Sequence, residues 1–324
     1  MYRDHLVFDG HMDTPLRIID EGLDLGVRHP DGHADLPRMR EGGLDAVFLA
    51  AWVDPAYAPD RAMARAEALV AAIRGAAEAH SDRAGFATSA TDVRRLAADS
   101  RIAFLAGVEN GDALEGQVGN AARLHALGAR YLTLTWMNSN AFADAAGGEA
   151  LHGGLSDAGR ELVAEMNRLG MLIDLSHAAP STFWMVLEAT ADPVVVSHSA
   201  TEVRGGHFRN LSDDQLRGIA ANGGLIGINF FARYLAPGSD TIPNWAVIVD
   251  HIERVIEVAG IDHAALGSDF DGFPTLPEGL RGVEDLPRIA AELERRGYAG
   301  GDLGKVLGGN WLRLLETVVD EAAR

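Results

Sequence analysis

In the stretch FDGHMDTP (8–15), His11 and Asp13 are of the types that hold a divalent cation or move a proton. On an extended segment their i, i+2 spacing turns both side chains to one side, as two ligands of one ion require. By itself the pair is weak, because an HxD triplet recurs by chance. Its weight comes from where residues of the same kind fall. Glu109 follows RIAFLAGV in GVENG, His177 follows GMLIDLS, His198 lies in VVVSHS and Asp269 in LGSDFDG. Each has an ordinary reading: a strand-end histidine is commonly a hydrogen-bonded core residue, Glu109 is placed to cap a helix beginning near Asp112, and Asp269 to pin the next turn. Taken together they are harder to dismiss. Three histidines, two aspartates and a glutamate at the ends of apolar segments, with no basic residue beside them, form an uncompensated negative cluster, and buried unpaired ionisable groups cost several kcal/mol. One or two divalent cations would supply the missing charge.

The chain has no cysteine, which excludes disulfides and thiolate ligands. Any ion is therefore held by imidazole and carboxylate, a donor set that suits zinc and similar metals. His11, Asp13, Glu109, His177 and His198 exceed the roughly three protein ligands of one catalytic zinc with an open position. Two ions sharing a carboxylate fit better. Glu109 is the natural bridge, since a carboxylate offers an oxygen to each ion and an imidazole cannot. His11, Asp13 and Glu109 then hold one ion, and Glu109, His177 and His198 the other. Water bridging the pair would be acidified toward neutral pH as a nucleophile. Asp269, outside the ligand set, is free to take its proton.

The elements that must bring these residues together are legible as well. Eight short apolar runs rich in Val, Ile and Leu occur at 5–10, 44–53, 101–108, 129–136, 170–176, 193–199, 224–230 and 263–269. Continuous rather than alternating hydrophobicity is the mark of strands buried on both faces, as in parallel sheets. Helical patterns separate them, at 60–80, 112–127, 156–169, 181–190, 212–222 and 244–259, with two more near 284–297 and 301–320. Ser156 and Ser212 stand at helix starts, and Gly170 where a C-terminal glycine belongs. Eight strands alternating with helices predict an α/β fold, a (β/α)8 TIM barrel formed by residues 1–324 as one domain, with the site at the C-terminal ends of the strands. A doubly wound open sheet is the alternative, and would gather the site at one crevice.

Bulk properties narrow the function. The 324 residues carry 47 acidic and 28 basic side chains, a formal net charge of −19. Such a surface disfavours nucleic acid and anionic membrane. No run reaches about 18 uninterrupted apolar residues, the length that spans a bilayer. The opening MYRDHLVFDG lacks the basic-then-apolar pattern of a signal peptide, so a soluble, cytoplasmic protein acting on a small molecule is expected. The sequence leaves room for a homodimer.

These residues lie in longer matching stretches. The chain resembles the membrane (renal) dipeptidase family, the M19 metallopeptidases, over essentially its whole length: DGHMDTP, GVENG, RYLTLTW, HGGLSDAGRELVAEMNRLGMLIDLSH, VVVSHS, the RN at 209–210, GSDFDG and GGNWLRLLE. The resemblance implies a binuclear zinc (β/α)8 barrel that hydrolyses dipeptides, L-Xaa-L-Xaa and L-Xaa-D-Xaa among them, with the ligands assigned above. It also implies that Arg209 binds the substrate's C-terminal carboxylate, with Tyr234 near that pocket, and that Asp269 transfers a proton and contacts the substrate amine. One departure matters. Many members close the fourth strand with a histidine that polarises the scissile carbonyl, and here the residue is Trp136. Indole donates one hydrogen bond but takes no positive charge. Asn138, two residues on, is the substitute donor to consider. Asn110 after Glu109, where glycine is common, leaves the ligand set untouched.

His152 and His207 lie in loops near the expected site, the first read as a surface residue and the second as a neighbour of the Arg209 pocket. A metal-dependent amidohydrolase or deacylase of N-acyl amino acids or cyclic amides is the competing enzyme, and a catalytically inactive binding barrel the competing class. All five expected ligands are present, which disfavours the inactive barrel. Arg209 and Asp269 favour a substrate with both a free carboxylate and a free amine.

Overall fold

The computed structural model describes residues 2–322. Its ten strands are β1 (Phe8–Met12), β2 (Ala46–Trp52), β3 (Ala84–Phe86), β4 (Ile102–Glu109), β5 (Ala129–Thr133), β6 (Leu172–Asp174), β7 (Val195–Thr201), β8 (Asn210–Leu211), β9 (Leu225–Ile228) and β10 (Ala264–Leu266). Eight of them pair side by side in the order β2-β1-β10-β9-β7-β6-β5-β4, and β2 pairs with β4 to close the ring. Every pairing in the ring is parallel. The expected (β/α)8 barrel is present. Each of the eight apolar runs overlaps one barrel strand, and β3 and β8 lie outside the ring, on β4 and β7.

The anticipated caps explain several boundaries. Ser156 accepts from the Gly159 amide at 3.0 Å to open Asp157–Leu169, and Gly170 ends that helix with φ +65°. Ser212 and Gln215 form a reciprocal capping box ahead of Asp213–Asn222. The expected helix at 112–127 is instead a short turn, Gly111–Leu114, followed by Asn120–Leu127. Helices at Thr14–Asp20, Leu36–Glu41 and Ala90–Ala98 were not expected, being short or weakly patterned.

The barrel is a packed core. Phe8, Phe48 and Trp311 pack together inside it with centroids 5.5–5.7 Å apart, Phe8 stacked on the other two. Trp311 comes from the helical segment 301–320 and donates its indole N–H to the Leu266 carbonyl at 3.0 Å. Above this layer the register sets one level across four adjacent strands: Trp52 pairs with Glu109, Glu109 with Thr133, and Thr133 with Asp174. Residues paired in register face the same side of a sheet. The polar layer thus rests directly on the apolar one. Among the described residues, no helix is long and apolar enough to cross a membrane.

Candidate active site

His11, Asp13, Glu109, His177, His198 and Asp269 converge at the C-terminal ends of the barrel strands. His11 Nε2 lies 3.5 Å from Asp13 Oδ2, 3.4 Å from Glu109 Oε2 and 3.9 Å from Asp269 Oδ1. On the other side of Glu109, Oε1 lies 3.0 Å from His177 Nε2 and 3.5 Å from His198 Nε2. Those two imidazole nitrogens are 3.0 Å apart. One oxygen of Glu109 therefore faces His11 and the other faces the His177–His198 pair, the arrangement a shared carboxylate needs. Glu109 is also spared the capping role: the Asn110 side chain, at φ +88°, accepts from the Asp112 amide instead.

The backbone around the cluster is specialised. His177 and Asp269 both adopt left-handed conformations, φ +68° and +64°. Non-glycine residues in that region are held there by surrounding structure and gather at functional sites. Gly272 approaches the carboxylates so closely that a Cβ would sit 2.3 Å from Asp13 Oδ2 and 2.4 Å from Asp269 Oδ1. No side chain fits there without displacing one of them.

A second ring of hydrogen bonds orients the imidazoles. Buried Asp174 accepts from the Ser176 and Ser197 amides at 3.0 and 2.9 Å, and from the Thr133 and Ser197 hydroxyls at 2.6 Å each. Because Ser197 Oγ gives its proton to Asp174, it is left to accept from His198 Nδ1, 2.9 Å away. That assigns the His198 proton to Nδ1 and leaves the Nε2 lone pair pointing into the cluster. Tyr131 does the corresponding work for His11, its hydroxyl lying 2.8 Å from Nδ1. Its ring reaches that position only because residue 107 is glycine: a Cβ there would meet the phenol at 2.0 Å. None of these partners was anticipated.

The electrostatics follow from burying so many acids together. Burial pushes Asp269 well above the usual carboxylate range, and the neighbouring Asp13 pushes it further. Asp13 is raised as well, chiefly by burial. His11 is driven well above an ordinary imidazole: burial works against the charge, but Glu109 and Asp13 outweigh it. Glu109 is held low by His11 and His177 in spite of its burial. His177 is depressed to about 4 by burial and by Arg209. This is a cluster that attracts positive charge. Its donor atoms fit divalent cations: buried His11 Nε2 has no hydrogen-bond partner among the described residues, and the two nearby Nε2 atoms compete for one carboxylate oxygen. Within the described residues, His11, Glu109 and His198 form one group close enough to share an ion, and His11, Asp13 and Asp269 another.

A cavity of about 430 Å³ opens over the cluster. Arg209 and Tyr234 line it, with the guanidinium carbon 5.4 Å from the Tyr234 ring. Arg209 is 3% exposed, donates to Ser199 Oγ at 3.1 Å and to the His198 carbonyl at 3.0 Å, and has no partner for Nε among the described residues. Nor does any of their carboxylates lie within ion-pair distance of it. Trp136 lines the cavity, in edge-to-face contact with Trp52 at 5.0 Å. Asn138 does not join them. Its amide donates to Asp112 at 2.8 Å, which takes it out of the role of substitute donor. His152 is exposed and bonds the Asn140 carbonyl, as a loop residue would. His207 packs on Tyr234 at 4.8 Å, and its Nδ1 accepts from the Arg209 amide, so it supports the Arg209 loop from behind. Asn229, which also escaped notice, donates to Asp269 Oδ2 at 2.8 Å and leaves Oδ1 toward the cluster.

Known proteins agree with this architecture. The sequence model of the family described as membrane dipeptidase (peptidase family M19) matches residues 1–324. The dipeptidase verJ of Clonostachys rogersoniana is 35% identical over 331 residues, covering 96% of this chain and 84% of that protein. The crystal structure of dipeptidase AC, a metallopeptidase of family M19, superposes with a TM-score of 0.90 at 31% identity, covering 97% of this chain and 98% of the other. A metallopeptidase from Rhodobacter sphaeroides, solved with a phosphinate mimic of the dipeptide L-Ala-D-Ala, gives 0.89 at 30% identity, covering 97% and 99%. With the whole chain matched in sequence and in fold, the protein belongs to the membrane dipeptidase family, peptidase family M19, and is a metallo-dipeptidase, a hydrolase.

Proposed function

We propose that this enzyme hydrolyses dipeptides bearing both a free amine and a free carboxylate, L-Xaa-L-Xaa and L-Xaa-D-Xaa, with two zinc ions as cofactors. The observation that carries the reading is Arg209, a buried guanidinium with no carboxylate partner among the described residues, lining the same cavity as the acidic cluster. A guanidinium held by Ser199 and His198 presents a fixed fork, complementary to a carboxylate in a way lysine does not reproduce. Tyr234 flanks that fork. The substrate amine goes to Asp269, where the surrounding acids favour a cation.

His11, Asp13, Glu109, His177 and His198 would hold the metals, Glu109 being shared. When bound, zinc acidifies water and polarises the carbonyl it faces. The chain's own part is to bind and orient. Ser197 and Asp174 keep the His198 proton on Nδ1, Tyr131 fixes the His11 ring, and Asn229 steadies Asp269 so that Oδ1 takes the proton released as the peptide bond is attacked. Asp269 then returns that proton to the leaving amine. Burial and the Asp13 charge, which raise its affinity for a proton, suit it to both tasks. The two anchors act on opposite ends of a dipeptide, so the distance between them restricts length.

The test compares the metal-loaded enzyme on dipeptides, the corresponding dipeptide amides and N-acetyl dipeptides. Hydrolysis should require both free ends. Equal rates on all three sets would remove the dipeptidase reading and leave that of a general amidohydrolase.

A further inference from the structure

We infer that the Trp52–Trp136 face of the cavity is a side-chain subsite that selects a large apolar side chain on the substrate. The inference rests on the dipeptidase reading above and says which dipeptides are preferred.

Strand order fixes where each wall stands. Asp269 follows β10 and Arg209 lies beyond β7, with β9 between those two strands in the ring. A backbone anchored at its amine by Asp269 and at its carboxylate by Arg209 therefore spans this arc. Phe231, just after β9, and Phe273, beyond β10, stack at 4.8 Å and line the cavity on the same arc. Trp52 ends β2, Glu109 ends β4 and Trp136 follows β5. In the closed ring β4 lies directly opposite β9, so the two tryptophans face the phenylalanines across the barrel mouth. Successive side chains on an extended backbone point to opposite sides. One substrate side chain then meets the phenylalanines and the other meets the tryptophans.

The tryptophan face offers apolar area and no free charge. Trp52 and Trp136 pack edge-to-face, Trp136 lies 6.3 Å from the His177 ring, and Met137 continues the wall. The acids lining the cavity are otherwise engaged. Glu109 and Asp13 belong to the cluster, and Asp269 to the amine. Asp271 is engaged on its far side, with Oδ1 accepting from the His33 amide at 2.6 Å and lying 3.9 Å from Arg17 Nη1, and Oδ2 accepting from the Thr14 hydroxyl at 2.7 Å. Arg209, the one cationic side chain besides imidazole among the described residues on the lining, is committed to the carboxylate. A lysine or aspartate side chain entering here would lose water without an uncommitted counter-charge on the tryptophan face to replace it. A leucine or phenylalanine side chain would bury its surface against indole.

Two dipeptide series, Xaa-Ala and Ala-Xaa with Xaa as Gly, Leu, Phe, Asp or Lys, test this on the metal-loaded enzyme through kcat/KM. Wild type should favour Leu and Phe over Gly, Asp and Lys. Trp136→Ala should reduce the Phe-to-Gly ratio by about 10- to 100-fold in one series only, the scale of burying one large side chain. Trp52→Phe, which keeps an aromatic face, should preserve the ratio. If Trp136→Ala does not fold, Trp136→Leu serves, with Leu retained and Phe lost. The inference is overturned if Trp136 variants leave both ratios unchanged, or slow every substrate by the same factor. If wild type cleaves no dipeptide at all, the dipeptidase reading falls with it, so the two failures are distinguishable.

Discussion

Replacing Arg209 with lysine asks whether the guanidinium recognises substrate or merely joins loops. Its two hydrogen bonds, to Ser199 Oγ and the His198 carbonyl, fix the plane of the fork, and its Nε has no acceptor among the described residues. An ammonium at this site keeps the charge. It cannot hold both of those oxygens and still present two parallel N–H groups to a carboxylate. The loss is then that of a charge-assisted hydrogen bond, about 1.5–3 kcal/mol, which corresponds to roughly a 10- to 160-fold fall in kcat/KM. The decisive quantity is a ratio: kcat/KM for a dipeptide divided by that for its amide should fall by this factor in Arg209→Lys, because the amide never used the full interaction. Metal content measured alongside should be unchanged, since Arg209 lies outside the ligand set. An unchanged ratio together with a lower melting temperature would refute the reasoning and leave Arg209 as a structural tie between β7 and the loop that follows it.

Glu109→Gln should lose one or both ions on elemental analysis of the zinc-reconstituted protein, with nearly all turnover; retention of about two ions per chain would rule out a bridging role. Asp269→Asn should keep its metals while kcat falls by roughly 10²–10⁴, and wild-type turnover would place the proton carrier elsewhere. Ser197→Ala should weaken zinc affinity by about 10- to 100-fold in a chelator competition, with Ser197→Thr restoring it, because the hydroxyl rather than the volume orients His198. His251 gives a pH test remote from the cluster. Burial depresses it to about 4 against an unfolded value of 6.5, so the unfolded chain binds the proton first and stability is lost as pH falls from about 6.5 toward 4. At pH 5 the loss is about 2 kcal/mol, and the urea midpoint of His251→Asn should depend less steeply on pH than that of wild type across this window.

How much of this was legible before the structure depends on what each feature requires. The barrel was legible because strands buried on both faces must be continuously apolar, a local property, and all eight runs overlap a ring strand. The convergence of His11, Asp13, Glu109, His177, His198 and Asp269 was legible for a related reason: strand ends in a parallel barrel share one rim, so ends could be matched without knowing their contacts. The short helices and the two outer strands were missed because too few residues carry their pattern. Asn138 misled because proximity in sequence to Trp136 says nothing of where its amide is used, and Asp112 uses it.

What sequence reasoning could not reach depends on register. Trp52, Glu109, Thr133 and Asp174 stand at one level on four adjacent strands, although up to 122 positions separate them. A slip of one residue between neighbours would turn a strand's inward residues outward. The same register that sets Glu109 in the ligand cluster sets Thr133 beside Asp174, and through Asp174 and Ser197 it assigns the His198 proton. It also places Trp52 level with Glu109, so the apolar face begins where the acidic cluster ends. Reactivity and selectivity are in this sense read off one ladder of backbone hydrogen bonds. A substitution that shifts β4 against β2 or β5 should therefore disturb metal binding and side-chain preference together, whereas a change confined to Trp136, beyond the end of β5, should alter preference alone.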